Sequence, residues 1–402
     1  MRIVVATVGT TGDVTPFAAL SEAMRAAGHD VTAVSWELHR QAFERAGARF
    51  AAAGPTTSWG DISTTAARAA AAGSPLAQVA MLRDFHLRDA AAHYRTLREL
   101  LRGHDLVLLH GIHTLAEAAA RDEGLTWASA VFDPVLLPTA SAPPAGMPRL
   151  GPFNRVAWRM LDGMLRRQDG PLRAALEAAG SPSAAAVTMF RSRSPRLHMV
   201  AVSPHIAPPP PDLGASTHFT SAWLRQDTPE PLPAELDAFL AGDAPVVVTF
   251  GSMAAPDLGA LMAATAEGAR SAGRRVALQG DAPVAAADGV LRIGAVDHRA
   301  LFPRAAAVVH HGGAGTTHAA VAAGVPSIVV PHVGDQPFWA ARLAALGVAP
   351  KPLTLEATAH EFRGAVETAA APAMRDAAAR LGAQVRGERG VERAIALLER
   401  LP

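Results

Sequence analysis

Short apolar runs rich in Val, Ile and Leu alternate along the chain with longer Ala-, Leu- and Arg-rich stretches of helical period. That alternation predicts βα units and a parallel sheet covered by helices on both faces. In the first half the runs are 2–8 (RIVVATV), 30–36 (DVTAVSW), 48–50 (ARF), 105–110 (DLVLLH), 126–132 (TWASAVF) and 197–202 (LHMVAV), with Gly, Asp or Pro at their boundaries. A helix is predicted over 16–28 (PFAALSEAMRAAG), ending on a glycine suited to a C-cap. The pattern restarts with runs at 244–252, 274–280, 290–296, 305–311 and 326–332, and the text after Leu355 predicts three further helices.

Between the two series lies SPHIAPPPPDLGAS (203–216), whose five prolines and lack of apolar period predict a stiff, extended linker. At 402 residues the chain also exceeds the roughly 250 to 300 residues at which single cores stop growing. The expected fold is α/β, with two doubly wound, Rossmann-like domains over 1–205 and 217–402, joined by 206–216. Two connections, 54–80 and 134–152, are long for a compact domain; such loops are usually functional or mobile, and both leave the neighbourhood of strand ends where ligands bind in open α/β sheets.

Composition narrows the function classes. Half the residues are hydrophobic, yet no apolar run reaches the roughly 18 residues of a membrane helix, so no membrane anchor is expected. The apolar stretch at the N-terminus is too short for a signal-peptide core and reads as a first strand, and with no cysteine in the chain a cytoplasmic protein is expected. With 37 basic and 36 acidic residues, nothing in the charge favours nucleic acid or an anionic membrane as partner. The absence of cysteine excludes disulfides, thiolate metal sites and a Cys nucleophile. Oligomeric state is not legible.

The densest chemistry lies at 308–317 (VVHHGGAGTT), where a strand should end and a helix begin. A glycine turn feeding a helix N-terminus presents backbone N–H groups and the positive end of the helix dipole, which favours a phosphate. Thr316 and Thr317 add hydroxyls and His311 an imidazole, a set able to hold a diphosphate without a metal. The plainer alternative is that Gly312, Gly313 and Gly315 only permit a tight turn, with Thr316 as N-cap. One unit later, Asp335 and Gln336 end the next strand; an adjacent carboxylate and carboxamide suit sugar hydroxyls, although Asp335 could equally be an N-cap.

These motifs resemble the inverting, metal-independent GT-B glycosyltransferases of family 1. The matching text is His311 to Thr317 (H-x-G-x-G-T-T), 324–349, TFGSM (249–253) and the opening GTTGDVTPFAAL (9–20). The likeness is closest to the bacterial branch containing the vancomycin-group antibiotic enzymes and to the sterol glucosyltransferases. It implies a GT-B fold, two Rossmann-like domains facing across a cleft. By resemblance, His311, Gly313, Gly315, Thr316 and Ser252 contact the donor diphosphate, with Thr10, Thr11 and Gly12 reaching it from the first domain. Asp335 and Gln336 would contact the donor sugar, and Val296 and His298 the nucleobase. The resemblance implies no metal and no cofactor, only an NDP-sugar co-substrate. Ala319 stands where plant members hold a ribose-binding Glu, so a dTDP-sugar fits as well as a UDP-sugar.

Inversion requires a base for the acceptor hydroxyl. The first loop holds Asp13 where many members have a histidine, and the resemblance makes Asp13 the catalytic base; its alternative is a cap on the first helix. Gly12 beside it is expected to let substrate approach closely. An aspartate is a weak base near neutral pH, so the assignment calls for a dry site. His110 and His113, at another strand end, are possible partners of the base.

The acceptor is expected to be a bulky, hydroxylated natural-product aglycone. Competing readings are a GT-B UDP-sugar epimerase, a non-catalytic helper of a glycosyltransferase, and a dehydrogenase. The last is weak: Gly9 and Gly12 are present, but Thr11 stands where the dinucleotide fingerprint needs its second glycine.

Overall fold

The computed structural model describes residues 1–402 except 73–74, 145–146, 148–149, 226, 252–257 and 281–286. The chain forms two compact units, one comprising 1–225 with 389–402 and the other 226–388.

The first unit contains β1 (Arg2–Ala6), β2 (Asp30–Ser35), β3 (Arg49–Ala52), β4 (Leu106–His110), β5 (Trp127–Val131), β6 (His198–Val200) and β7 (Thr217–Phe219), in spatial order β3-β2-β1-β4-β5-β6-β7. Every pairing is parallel. The second unit contains β8 (Val246–Thr249), β9 (Val276–Gln279), β10 (Val290–Ile293), β11 (Ala307–His310) and β12 (Ser327–Val329), in the order β10-β9-β8-β11-β12, again all parallel.

Helices cover both faces of each sheet, which explains why the central strands read as continuous apolar runs: all five residues of β4 are buried, as are all four of β8. In each unit the chain winds outward from its first strand, then crosses back to place its fourth strand on the other side. The order therefore reverses between β1 and β4 and between β8 and β11. Ligands of open α/β sheets bind at such reversals, beyond the carboxyl ends of the strands.

All eleven predicted strands form, and the tail contains the three predicted helices Ala359–Ala369, Pro372–Arg386 and Gly390–Leu398. The observed division differs from the one expected at 206–216. β7 pairs with β6 in the register His198↔Thr217, so the first unit runs on to Arg225. The last helix returns to that same unit, where Arg393 Nη1 lies 3.3 Å from Ser221 Oγ and His29 Nε2 lies 3.1 Å from Glu399 Oε1.

The first helix also departs from expectation. It begins at Thr11 and carries Pro16 inside it. Pro16 would have donated to the Gly12 carbonyl, and Gly12 is exposed, so water can satisfy the orphaned acceptor. The connection 54–80 is not loop throughout, since the helix Trp59–Ala71 occupies much of it. Among the described residues no helix is long and apolar enough to cross a membrane.

Candidate functional site

At the reversal of the first sheet, the chain leaves β1 through a short loop into the helix Thr11–Ala26. Asp13 is the third residue of that helix. Its Oδ2 accepts hydrogen bonds from the Thr10 amide (2.7 Å) and the Thr10 hydroxyl (2.9 Å), so the carboxylate is fixed by the Thr10 cap and lies at the positive end of the helix. Within the chain the close packing against Asp13 is made by Gly9. Gly9 has φ +119°, and a Cβ there would run into the Asp13 carboxylate, whereas Gly12 is an exposed helical residue. Thr10 spends its hydroxyl on Asp13, and Thr11 is the exposed first residue of the helix.

Of the two histidines expected near the base, His110 is the one placed there. Its Nε2 lies 3.8 Å from Asp13 Oδ1, too far for a hydrogen bond but close enough for charge to be felt. The ring is buried edge-on against Phe17, and its Nδ1 has no partner among the described residues. Burial lowers the His110 pKa while Asp13 opposes the shift, so the imidazole is neutral at pH 7. His113 instead stands before the helix Thr114–Asp122, with its ring 5.4 Å from that of His93, lining a small cavity with Trp36 and His86.

Two further groups join Asp13 that were not anticipated. His39 Nε2 lies 3.1 Å from the Gly9 carbonyl, and burial pushes its pKa down to about 4. Asp133, just past β5, accepts from the Val135 amide at 2.9 Å; burial, with the charge of Asp13, pushes its pKa up to about 6. The signal for Asp133 was available in FDP at a strand end, the same kind of position that marks Asp13.

At the reversal of the second sheet, β11 leads through His311 and Gly312 into the helix Ala314–Ala323. Gly312 has φ +87°, and a Cβ there would meet Val329 Cγ1 at 2.8 Å and the Gln336 carbonyl at 3.2 Å. Gly313, rather than Thr316, occupies the N-cap position, and the first turn carries no acidic residue. Thr317 N donates to Gly313 O (2.9 Å) as the first helical bond, so the amides of Ala314, Gly315 and Thr316 have no helical partner. Among the described residues no side chain caps this start, which leaves it suited to an anion.

His311 lies over Gly313 so closely that a Cβ at Gly313 would overlap its Nε2. It is buried, its Nδ1 is unpartnered among the described residues, and burial together with His310, His332 and His298 pushes its pKa to about 3. His310 Nδ1 accepts from the Gly312 amide at 3.1 Å, which fixes its tautomer and leaves Nε2 unpartnered.

The remaining predicted contacts are committed within the chain to differing degrees. Gln336 is buried, and its Oε1 accepts from the amides of His332 (2.7 Å) and Val333 (3.0 Å). Asp335 takes the N-cap position of the helix Gln336–Ala345 without a side-chain cap bond, and its Oδ2 accepts from Trp339 Nε1 at 2.6 Å. His298 follows the N-cap Asp297 on a four-residue helix, stacks on Phe302 at 4.2 Å, and has Nε2 2.8 Å from Gln279 Oε1. Val296 packs, half-buried, on the core. Ser252 lies outside the described residues.

Similarity to known proteins follows the same lines. A family model described as Erythromycin biosynthesis protein CIII-like, C-terminal domain, matches residues 277–390. Over 99% of its length the chain is 35% identical to O-mycaminosyltylonolide 6-deoxyallosyltransferase of Streptomyces fradiae, covering 97% of that protein. It is 32% identical to vancomycin aglycone glucosyltransferase of Amycolatopsis orientalis, over 87% of this chain and 85% of that one. Among solved structures, the glycotransferase of kitacinnamycin superposes with a TM-score of 0.74 at 22% identity, over 100% of this chain and 99% of that one. A Streptomyces sp. SF2575 glycosyltransferase, SsfS6, complexed with thymidine diphosphate, gives 0.65 at 21% identity over the whole of both chains.

Two doubly wound parallel units of this kind make up the GT-B fold. The chain belongs to the family 1 GT-B glycosyltransferases and is a hexosyltransferase.

Proposed function

We propose that the chain is an inverting, metal-independent glycosyltransferase that moves a sugar from a dTDP- or UDP-sugar to a hydroxyl of a bulky natural-product aglycone. The observation that carries the donor half is the uncapped, acid-free start of the helix Ala314–Ala323, with buried His311 against Gly313. The amides of Ala314, Gly315 and Thr316, the Thr316 hydroxyl and His311 would stabilise charge growing on the departing diphosphate. Ser252 is assigned to the same phosphates through the family motif. Gln336, whose carbonyl is occupied, would offer its Nε2, and Asp335 its carboxylate, to sugar hydroxyls.

Asp13 is the base. Thr10 clamps Oδ2, leaving Oδ1, the oxygen facing His110, to take the acceptor proton. The acceptor oxygen then bonds to the anomeric carbon as the diphosphate leaves from the opposite face. The relatives' names, a deoxyallosyltransferase and an aglycone glucosyltransferase, support a natural-product acceptor and a nucleotide-sugar donor. The SsfS6 complex with thymidine diphosphate supports dTDP.

The test is a thermal-shift panel with dTDP, UDP, GDP and NAD, since a ligand bound by the native state raises its melting point. Stabilisation by dTDP or UDP alone is expected. A response to NAD alone would overturn the donor assignment.

A further inference from the structure

The loop after β12 brings one more imidazole to the neighbourhood of His311. The backbone amide of His332 donates to Gln336 Oε1 at 2.7 Å, which anchors the loop. Its ring centroid lies 6.2 Å from that of His311 and 5.4 Å from that of Phe250, the residue just past β8. The side chain thus sits beside the reversal between β8 and β11. Both of its ring nitrogens are withdrawn from solvent and lack a partner among the described residues. A neutral imidazole has one donor and one acceptor, a protonated one two donors, and buried groups of this kind normally find partners. His311 Nδ1, His310 Nε2 and Thr317 Oγ1 are left unmatched in the same region. This much spare hydrogen-bonding capacity beside an uncapped helix start points to a polar guest.

The electrostatics say which charge the guest carries. Burial pushes His332 to about 4. Around His311 the titratable groups that act are His310, His332 and His298, all of them imidazoles. Asp335 is held to Trp339 Nε1, and among the described residues no carboxylate contributes to the shift of either histidine. These imidazoles are therefore neutral near pH 7, and their surroundings gain nothing from a cation. An opposite charge within about 4 to 6 Å moves a pKa by roughly 1 to 3. A diphosphate diester brings two such charges, enough to carry a desolvated imidazole from about 4 into the neutral range.

We infer that His332 is a second phosphate-binding imidazole, and that it and His311 together take up a proton from solvent when a diphosphate diester binds. The inference rests on the donor-site reading and extends it. The transferred proton comes from bulk buffer and ends on an imidazole nitrogen, which becomes a second donor to phosphate oxygen. Neutralising the guest in this way would let one site accept the donor and hold the more highly charged product.

Calorimetry of the intact chain with dTDP-glucose and UDP-glucose tests this. The sugar esters are the right probes because a free terminal phosphate itself titrates near pH 6. Binding heats at pH 7 in buffers of different ionisation enthalpy should reveal net proton uptake, and affinity should rise about tenfold from pH 8 to pH 6. His332→Asn should weaken binding about tenfold and reduce the uptake. His332→Gln, which keeps a longer amide donor, should recover part of the affinity but none of the lost uptake. A melting temperature for each variant checks that it is folded. If the wild type binds without proton uptake, or His332→Asn binds and protonates as the wild type does, the inference fails while the donor site stands. If the wild type binds neither sugar nucleotide, the donor-site reading fails and the inference with it.

Discussion

Two helix starts, one in each unit, share a backbone geometry but differ in the charge they carry. Both lie at a reversal of strand order, where backbone amides and a helix dipole face outward. The helix Thr11–Ala26 opens with Thr10 and Asp13 bonded to each other, so its positive end already holds a carboxylate. The helix Ala314–Ala323 opens with Gly313, no acid in its first turn, and a neutral histidine over the turn. On the proposed reading the first start holds a fixed carboxylate as a proton acceptor, and the second, which carries no acid of its own, takes a ligand's negative charge. One carboxylate at the third helical position makes the difference.

The largest expected effect comes from removing that carboxylate. Asp13→Asn should lower turnover by on the order of 10² or more, with donor affinity retained, because only the proton acceptor is lost. Single-turnover rates with saturating donor would read it, and a near-normal rate would remove Asp13 from the mechanism.

Transplanting the carboxylate sharpens the comparison. Thr316→Asp recreates at the second helix what Asp13 does at the first. Donor affinity should fall about tenfold or more, while the melting temperature holds or rises, since an acid in a first turn stabilises a helix by about 0.3 to 1 kcal/mol. Loss of stability together with affinity would mean the helix start was damaged rather than filled.

The smallest effect concerns Asp133. Its folded pKa, pushed up to about 6, lies above the unfolded value of about 3.9. The folded chain thus holds the proton longer, and this group's contribution is fully present below about pH 4 and lost as pH rises through about 6. Asp133→Asn should remove that slope and raise stability at pH 7 by on the order of 1 kcal/mol, allowing for screening at a half-buried group. Urea titrations at pH 4.5 and 7 would show whether the difference between variant and wild type changes as stated.

What could be read in advance follows from what is local. Eleven strands were legible because strands buried on both faces are continuous apolar runs with breakers at their ends. β7 was not, because three residues beside Pro-rich text carry no period, and the return of 389–402 to the first unit leaves no local trace. The turn at 311–313 announced itself through glycine and histidine side by side. Which glycine adopts positive φ did not: Gly9, not Gly12, lies against Asp13, a consequence of where the chain turns. His39 and Asp133 reach Asp13 from the segments that follow β2 and β5, and only the topology puts them there.

The most direct test of the account is the affinity of His311→Ala for dTDP and UDP, measured by calorimetry beside the wild type. Loss of about tenfold or more in affinity for the nucleotide that the wild type binds, with the melting temperature of the unliganded protein preserved, is the predicted result. Unchanged affinity for that nucleotide would contradict a diphosphate at the start of the Ala314–Ala323 helix.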